Sequence, residues 1–255
     1  MDRIKELVEW LFKCRANLPH WLSKSLILAV VLISASCNRT PETVSSPPSP
    51  TDTPPSSPTD APPPSPSPSP EAIDDLEDGN AVNKLGGYWY TYNDNDKGGD
   101  SKVLTPSGEF SPSAGGANKS KKSARMTGKV TKTYQYGFIG MGTNLGEGDN
   151  TAVDVSKYKG IEFCAKGDGQ EYRVKLRSLA IKDSNDYGYN FTAPLQWQCY
   201  QVKFDKMAQE DWGKEKTVSV PQNEALAQTT AIQWQTVGQP HESVELALDD
   251  IKFLQ

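Results

Sequence analysis

Histidine is scarce: the 255 residues contain two, and only His241 lies in the C-terminal two-thirds. There is no Gly-x-Ser-x-Gly either, so a Ser-His-Asp hydrolase and a histidine-rich metal centre are both disfavoured. Basic charge is not in excess. Lys and Arg number 27 against 32 Asp and Glu, a net charge of -5, and a nucleic-acid surface would need a basic face. Helical periodicity is weak, with one short candidate turn around 204–211, and no βαβ rhythm appears. A long apolar run is missing as well. SLILAVVLISASC, from Ser25 to Cys37, is too short to span a bilayer comfortably.

That short run has another use. Arg15 and Lys24 precede it, and Ser34, Ala35 and Ser36 close it. A charged region, a short apolar stretch and small residues make a secretory signal. Cys37 after the small residues resembles the lipobox of bacterial lipoproteins, where the cysteine carries lipid. Ser34 departs from that motif, so an uncleaved anchor and an ordinary secretory signal stay open beside lipidation. All three place the rest of the chain outside the cytoplasm. Pro41 to Pro70 is almost entirely Pro, Ser, Thr and acid. Such a tract buries no apolar surface and behaves as an extended polyproline II spacer. Three regions are therefore expected: 1–37 signal or anchor, 38–71 tether, and 72–255 a single folded domain of sufficient size for a core.

Within 72–255 the patterning has period two. It is clear in GIEFCAK (160–166), EYRVKLRS (171–178), YGYNFTA (187–193), WQCYQVKF (197–204), TAIQWQTV (230–237) and SVELALDDIKF (243–253). Turn-forming stretches separate these segments. Many short strands predict an all-β jelly-roll sandwich. Alternation assigns Ile161, Phe163, Ala165, Tyr172, Val174, Leu176, Ile232 and Trp234 to the core. The opposite faces then carry Glu162, Cys164, Arg173, Lys175, Arg177, Gln233 and Gln235. In YWYTY, Trp89 is expected in the core, and strict alternation puts Tyr88, Tyr90 and Tyr92 together on the other side. Cys164 and Cys199 are in an oxidising compartment and would bridge if their strands are neighbours.

Two loops invite motif readings and decline them. GFIGMGTNLGEG (137–148) lacks the GxGxxG spacing and a following helix, so its glycines are expected at bulges and tight turns. DNDKGGD (94–100) has the first two aspartates of a calcium loop, but Thr105 stands where a closing glutamate belongs. It reads as a solvated acidic loop. Carboxylates are abundant, which leaves a glycosidase open by composition.

The order of AIDDLEDGN, LGGYWYTYND, KGGDSKV, YKGIEFCAKGDGQEYRVKLRS, WQCYQVKFDKMAQEDWG and VELALDDIKF resembles the galactose-binding-like sandwich. That fold is shared by family 11 carbohydrate-binding modules and complex I intermediate-associated protein 30. The resemblance covers nearly all of the chain after the tether. It implies a jelly roll whose first and last strands pair. It also implies a structural calcium held by Glu77 and Asp250, with Asp75 and Asp249 beside them. A glycan groove is implied on one sheet, lined by Tyr92, Tyr136, Arg177, Asp183, Tyr187, Trp212 and Gln235. The sequence departs from the family 11 pattern after Phe204, where an arginine is expected.

The expectation is a monomeric, non-catalytic domain that binds a β-glucan-like polysaccharide and is displayed from the cell envelope through Cys37. A protein-interaction module of the assembly-factor type is the alternative, and a small carbohydrate-active enzyme the third.

Overall fold

The computed structural model describes residues 71–211, 219–238 and 240–255. The signal-like segment with Cys37, the Pro-rich tether and Trp212 lie outside the described residues. Strands come in the order β1 (Ala72–Asp74), β2 (Trp89–Asn93), β3 (Lys102–Thr105), β4 (Ser113–Ala114), β5 (Lys122–Val130) and β6 (Ile139–Asn144). They continue with β7 (Gly160–Gly167), β8 (Glu171–Ser178), β9 (Tyr187–Thr192), β10 (Gln198–Lys203), β11 (Thr229–Thr236) and β12 (His241–Leu254). A helix, α1 (Gln222–Ala227), precedes β11, and the expected turn after β10 is a 3-10 helix over Phe204–Lys206.

These strands form two antiparallel sheets, as the alternating pattern requires. The larger runs β10-β7-β12-β5-β3, with β1 added on β12 and β4 on β5. The smaller runs β2-β6-β11-β8-β9. First and last strands pair, Ala72 opposite Lys252 and Asp74 opposite Ile251. The fold is a β-sandwich.

The core lies between the sheets, filled by the residues that alternation selected. Trp234, Tyr172, Phe163 and Ile232 are among the largest fully buried side chains. Trp89 stacks on Trp234 at 5.8 Å and on Phe110 at 5.4 Å. Its indole N–H donates to Asp74 Oδ2 at 2.7 Å, so β1 is tied to the aromatic core by one polar bond. In β12 the register shifts between Asp249 and Lys252, and Asp250 takes a positive φ of 52°. The extra residue of this bulge lets both Leu248 and Ile251 face inward. The larger sheet's outer face is polar, with Arg125 paired to Glu245 and Lys252 to Glu162.

Cys164 on β7 sits directly opposite Cys199 on β10, and the two are bonded. The bridge fastens edge strand β10, which leads into the segment that bridges Gly188 of β9 at Ala208. We expect thiol titration of the unreduced chain to find neither cysteine reactive. The double substitution Cys164→Ser/Cys199→Ser should lower stability by about 4 kcal/mol, the loop-closure value for a separation of 35 residues. Thermal denaturation with and without reductant measures this, and free labelling of Cys164 and Cys199 in the untreated chain would contradict it.

Candidate functional site

A cleft of about 1240 Å³ covers the outer face of the smaller sheet. The residues lining it follow from register. Tyr92, Gly140, Gln235, Arg173 and Asn190 are consecutive cross-strand partners. So are Tyr90, Gly142, Gln233, Lys175 and Gly188. Each row reads aromatic, glycine, amide, and then cation. A third row passes from Asn144 through Ala231 to Arg177, and Tyr88 lines the cleft near Asn144. The three tyrosines lie on one side of β2, as strict alternation has it, and Trp89 points into the core. From Tyr88 to Tyr92 the aromatic wall is ~14 Å long, the length of a few sugar rings.

The glycines of β6 explain how the tyrosines lie. A Cβ on Gly140 would fall 2.3 Å from Tyr92 Cζ, and one on Gly142 would fall 3.0 Å from the Tyr90 hydroxyl. Both rings therefore rest across the sheet where a side chain would otherwise stand. These two glycines are inside a regular strand, not at the bulges and turns expected of this stretch. Ring centroids of Tyr90 and Tyr92 are 6.1 Å apart with the planes tilted 43°, and Phe138 continues the surface 6.0 Å beyond Tyr92.

Polar groups are cross-braced. The Tyr92 hydroxyl donates to Gln235 Oε1 at 3.3 Å, and Lys175 Nζ donates to the same oxygen at 2.9 Å. Gln233 Nε2 donates to the Tyr90 hydroxyl at 2.9 Å. Burial pushes the Tyr90 and Tyr92 hydroxyls up, so both stay neutral donors. Burial also lowers the Lys175 ammonium and raises the Asp186 carboxyl, each effect opposed by the charge of the other. The Arg177 side chain is exposed and makes no hydrogen bond or ion pair among the described residues. It is a five-donor group lining the cleft, and its charge acts on Asp186.

At one rim the loop after β2 turns on Asp94. This carboxylate is fully buried, whereas Asp96 and Asp100 are exposed, so the loop is solvated as expected except at its first acid. Asp94 accepts from Ser101 N at 3.0 Å, Ser101 Oγ at 2.7 Å and Phe138 N at 3.2 Å. Ser101 Oγ in turn accepts from Thr131 N at 3.0 Å. One buried acid thus fastens both loops that carry rim residues. Tyr136, 58% exposed, meets Tyr134 edge-on on the second of them.

Of the expected groove residues, Tyr92, Tyr136, Arg177, Asp183 and Gln235 line the cleft. Tyr187 does not. It pairs with Leu176, which faces the core, so its ring lies on the inner side of β9 and its hydroxyl donates to Val220 O at 2.7 Å. Sequence reading missed Asp186, Lys175 as a lining group, Tyr90 and Asp149, which accepts from the Tyr88 hydroxyl. The clue for Lys175 and Tyr90 was the same alternation that gave Gln235.

The acids expected at a calcium belong to the larger sheet, Glu77 just after β1 and Asp249 and Asp250 within β12. Glu77 Oε1 accepts from Ser120 Oγ, Lys121 N and Lys122 N at 2.7–2.9 Å. Asp250 accepts from Asn118 Nδ2 at 3.0 Å, and Asp249 from Ala117 N at 2.8 Å. One short loop supplies all of these donors. Among the described residues, no three acidic, histidine or cysteine side chains converge on a common point.

Residues 75–247 match the family of complex I intermediate-associated protein 30 (CIA30). The chain belongs to the CIA30 family. Within it, 145 residues are 31% identical to Endoglucanase 3 of Fibrobacter succinogenes (strain ATCC 19169 / S85), covering 56% of this chain and 21% of that enzyme. The chain therefore spans about a fifth of that relative's length. Among solved structures, the family 11 carbohydrate-binding module of cellulosomal cellulase Lic26A-Cel5E of Clostridium thermocellum superposes with a TM-score of 0.50. Its identity is 19%, over 73% of this chain and 94% of the module. That similarity establishes a common sandwich fold for this CIA30 domain and that module.

Gly140→Val should lift the Tyr92 ring off β6. We expect a changed near-UV tyrosine signal and a stability loss of about 1–3 kcal/mol, the usual cost of overpacking, with far-UV β signal retained. An unaltered near-UV spectrum would show that the ring does not lie over this glycine.

Proposed function

We propose that this domain is a non-catalytic binder of an uncharged polysaccharide, taken as a single chain along the tyrosine wall of the cleft. The observation that carries the reading is the repeated row of aromatic, glycine, amide and cation. A pyranose presents an apolar C–H face and a rim of hydroxyls. Flat tyrosine rings suit the first, and Gln, Lys, Arg and Asp groups a few ångströms away suit the second. Charge on the lining is nearly balanced: Lys97, Arg173, Lys175 and Arg177 stand against Asp96, Asp149, Asp183, Asp186 and Glu210, with Arg173 3.7 Å from Glu210. This favours a neutral polymer over a polyanion. A groove of this kind binds weakly, with dissociation constants from micromolar to millimolar, or roughly 4–8 kcal/mol.

The family 11 module that shares the fold is described as carbohydrate-binding, and the matching stretch of Endoglucanase 3 belongs to a glucanase by name. Both support a β-glucan-like ligand. In this reading residues 1–37 deliver the protein to the envelope, Cys37 carries lipid and 38–71 holds the binding domain away from the surface. Calcium at Glu77 and Asp250 belongs to the same reading.

A protein-interaction role, as the family's name suggests, would call for a contiguous exposed apolar patch. The exposed aliphatic residues Val82, Leu104 and Leu195 sit on separate elements, and the larger sheet's outer face is laced with ion pairs. The groove is the better-built surface.

Affinity electrophoresis through gels containing β-glucan, xyloglucan, mannan or pectin, with and without chelator, tests the proposal. We expect retardation by a neutral β-glucan, and about a tenfold weakening in Arg177→Ala with the melting temperature nearly unchanged; Tyr92→Ala also removes the ring packed on Gly140, so it should weaken binding and lower the melting temperature together. No retardation in any gel would overturn it. Loss of retardation with chelator would support calcium, and its persistence would count against it.

A further inference from the structure

The groove has one wall that is not part of either sheet. After β10 the chain crosses from the larger sheet to the edge of the smaller one, where Ala208 and Gly188 exchange backbone hydrogen bonds at 3.0 Å. The next residues, Gln209 and Glu210, run alongside the loop 183–186, and Glu210 lines the cleft.

The two segments are joined through a single buried amide. Asn185 is 3% exposed. Its Nδ2 donates to Glu210 O at 2.9 Å, and its Oδ1 accepts from Glu210 N at 2.8 Å. Its backbone oxygen accepts from Gln209 Nε2 at 2.8 Å, and its N–H is capped by Asp183 Oδ1 at 3.0 Å. The side chain thus copies a β-bridge: one donor and one acceptor matched to the N–H and C=O of one residue. Arg173 adds a second fastening. Its Nη1 donates to Asn190 Oδ1 at 2.9 Å and its Nη2 to Ala208 O. A Cβ on Gly188 would come within 2.6 Å of Arg173 Nε, so the guanidinium occupies the space that this glycine leaves.

We propose that Asn185 is a positioning residue. It sets the width of the groove by pinning the wall at Ala208–Glu210 to the acidic loop, and so holds Asp186 and Glu210 at the distance a polysaccharide chain meets. This rests on the carbohydrate-binding reading above. Asn185 itself is turned away from a ligand, because it is almost fully buried and its amide is engaged with the wall. Leucine or alanine at this position would remove both hydrogen bonds that the amide makes to the Glu210 backbone, and the wall would separate from the loop. Aspartate is the informative variant. Its carboxylate still accepts from Glu210 N but opposes Glu210 O, whereas the protonated acid regains a donor. The charged groups around it are Asp183 and Asp186 on its own loop, Arg173 and Lys175 on β8, and Glu210 on the wall.

The test uses the full chain, a soluble β-1,3-1,4-glucan as probe, and hydrogen exchange read at 208–210. For Asn185→Ala we expect affinity about tenfold weaker and faster exchange at the Glu210 amide. For Asn185→Asp we expect a similar loss at pH 7. Relative to the unsubstituted chain at the same pH, affinity should recover toward pH 4–5 as the new carboxyl is protonated. Unchanged affinity and unchanged exchange in both variants would overturn the proposal. So would a loss of affinity that follows global destabilisation and shows no recovery in acid for Asn185→Asp. If the unsubstituted chain is not retained by the glucan or by any polymer above, the carbohydrate reading fails. Exchange then decides the pin alone: faster exchange in Asn185→Ala upholds it, and unchanged protection overturns it.

Discussion

The groove depends on two side chains that are missing. Gly140 and Gly142 lie on the outer face of β6, between the tyrosines of β2 and the glutamines of β11. Any larger residue there would stand Tyr90 and Tyr92 upright and separate them from Gln233 and Gln235. Glycine inside a strand weakens it, because it adds chain entropy and packs nothing. Here the tyrosine rings supply the packing that the glycines do not, and the strand is held from both sides by β2 and β11. The local loss of β propensity and the binding surface are thus one feature seen twice.

Around this floor, buried polar groups set the position of everything irregular. Asp94 fastens two rim loops, Asn185 fastens the wall to the acidic loop, and Asp74 links β1 to Trp89. Each is nearly or fully buried and each has its partners. A buried polar group left unmatched costs about 1–3 kcal/mol, so these contacts allow few alternatives. The sheets could tolerate apolar exchanges of similar volume in the core. The rim could not tolerate the loss of one carboxylate or amide without a change in loop path. Rigidity in the groove therefore comes from a handful of hydrogen bonds outside the regular strands.

Much of the sandwich was legible in the alternation of β7, β8, β10, β11 and β12, because each strand has one buried face and period two is unambiguous there. The same alternation put Arg177 and Gln235 on the groove side. It failed where alternation carries no signal. β6 reads as a glycine loop because two of its three outward positions, Gly140 and Gly142, have no side chains to alternate. Tyr187 was misplaced because only the pairing of β9 with β8, residue against residue, shows that it shares a face with Leu176. Asp186 was passed over for Asp183, three residues away, since nothing local says which acid turns inward. The bonds from Asp94 to Phe138 and from Asn185 to Glu210 join residues 25 to 44 positions apart, and no short-range pattern encodes them.

The tilt between Tyr90 and Tyr92 narrows what can lie on this surface. The two rings are on one strand, two residues apart, and strand twist rotates successive same-face positions. A crystalline polysaccharide face is flat, and two rings inclined by 43° cannot both rest on it. A single chain can turn each sugar ring to meet the ring beneath it, and flexible or mixed linkages make that turn easier. The cations and amides then lie to one side of the chain, along β8 and β11, where hydroxyls on a rotated ring point. Twist is a property the sheet has for reasons of backbone stereochemistry alone, and on the proposed reading it also selects a soluble, separated chain over a packed one.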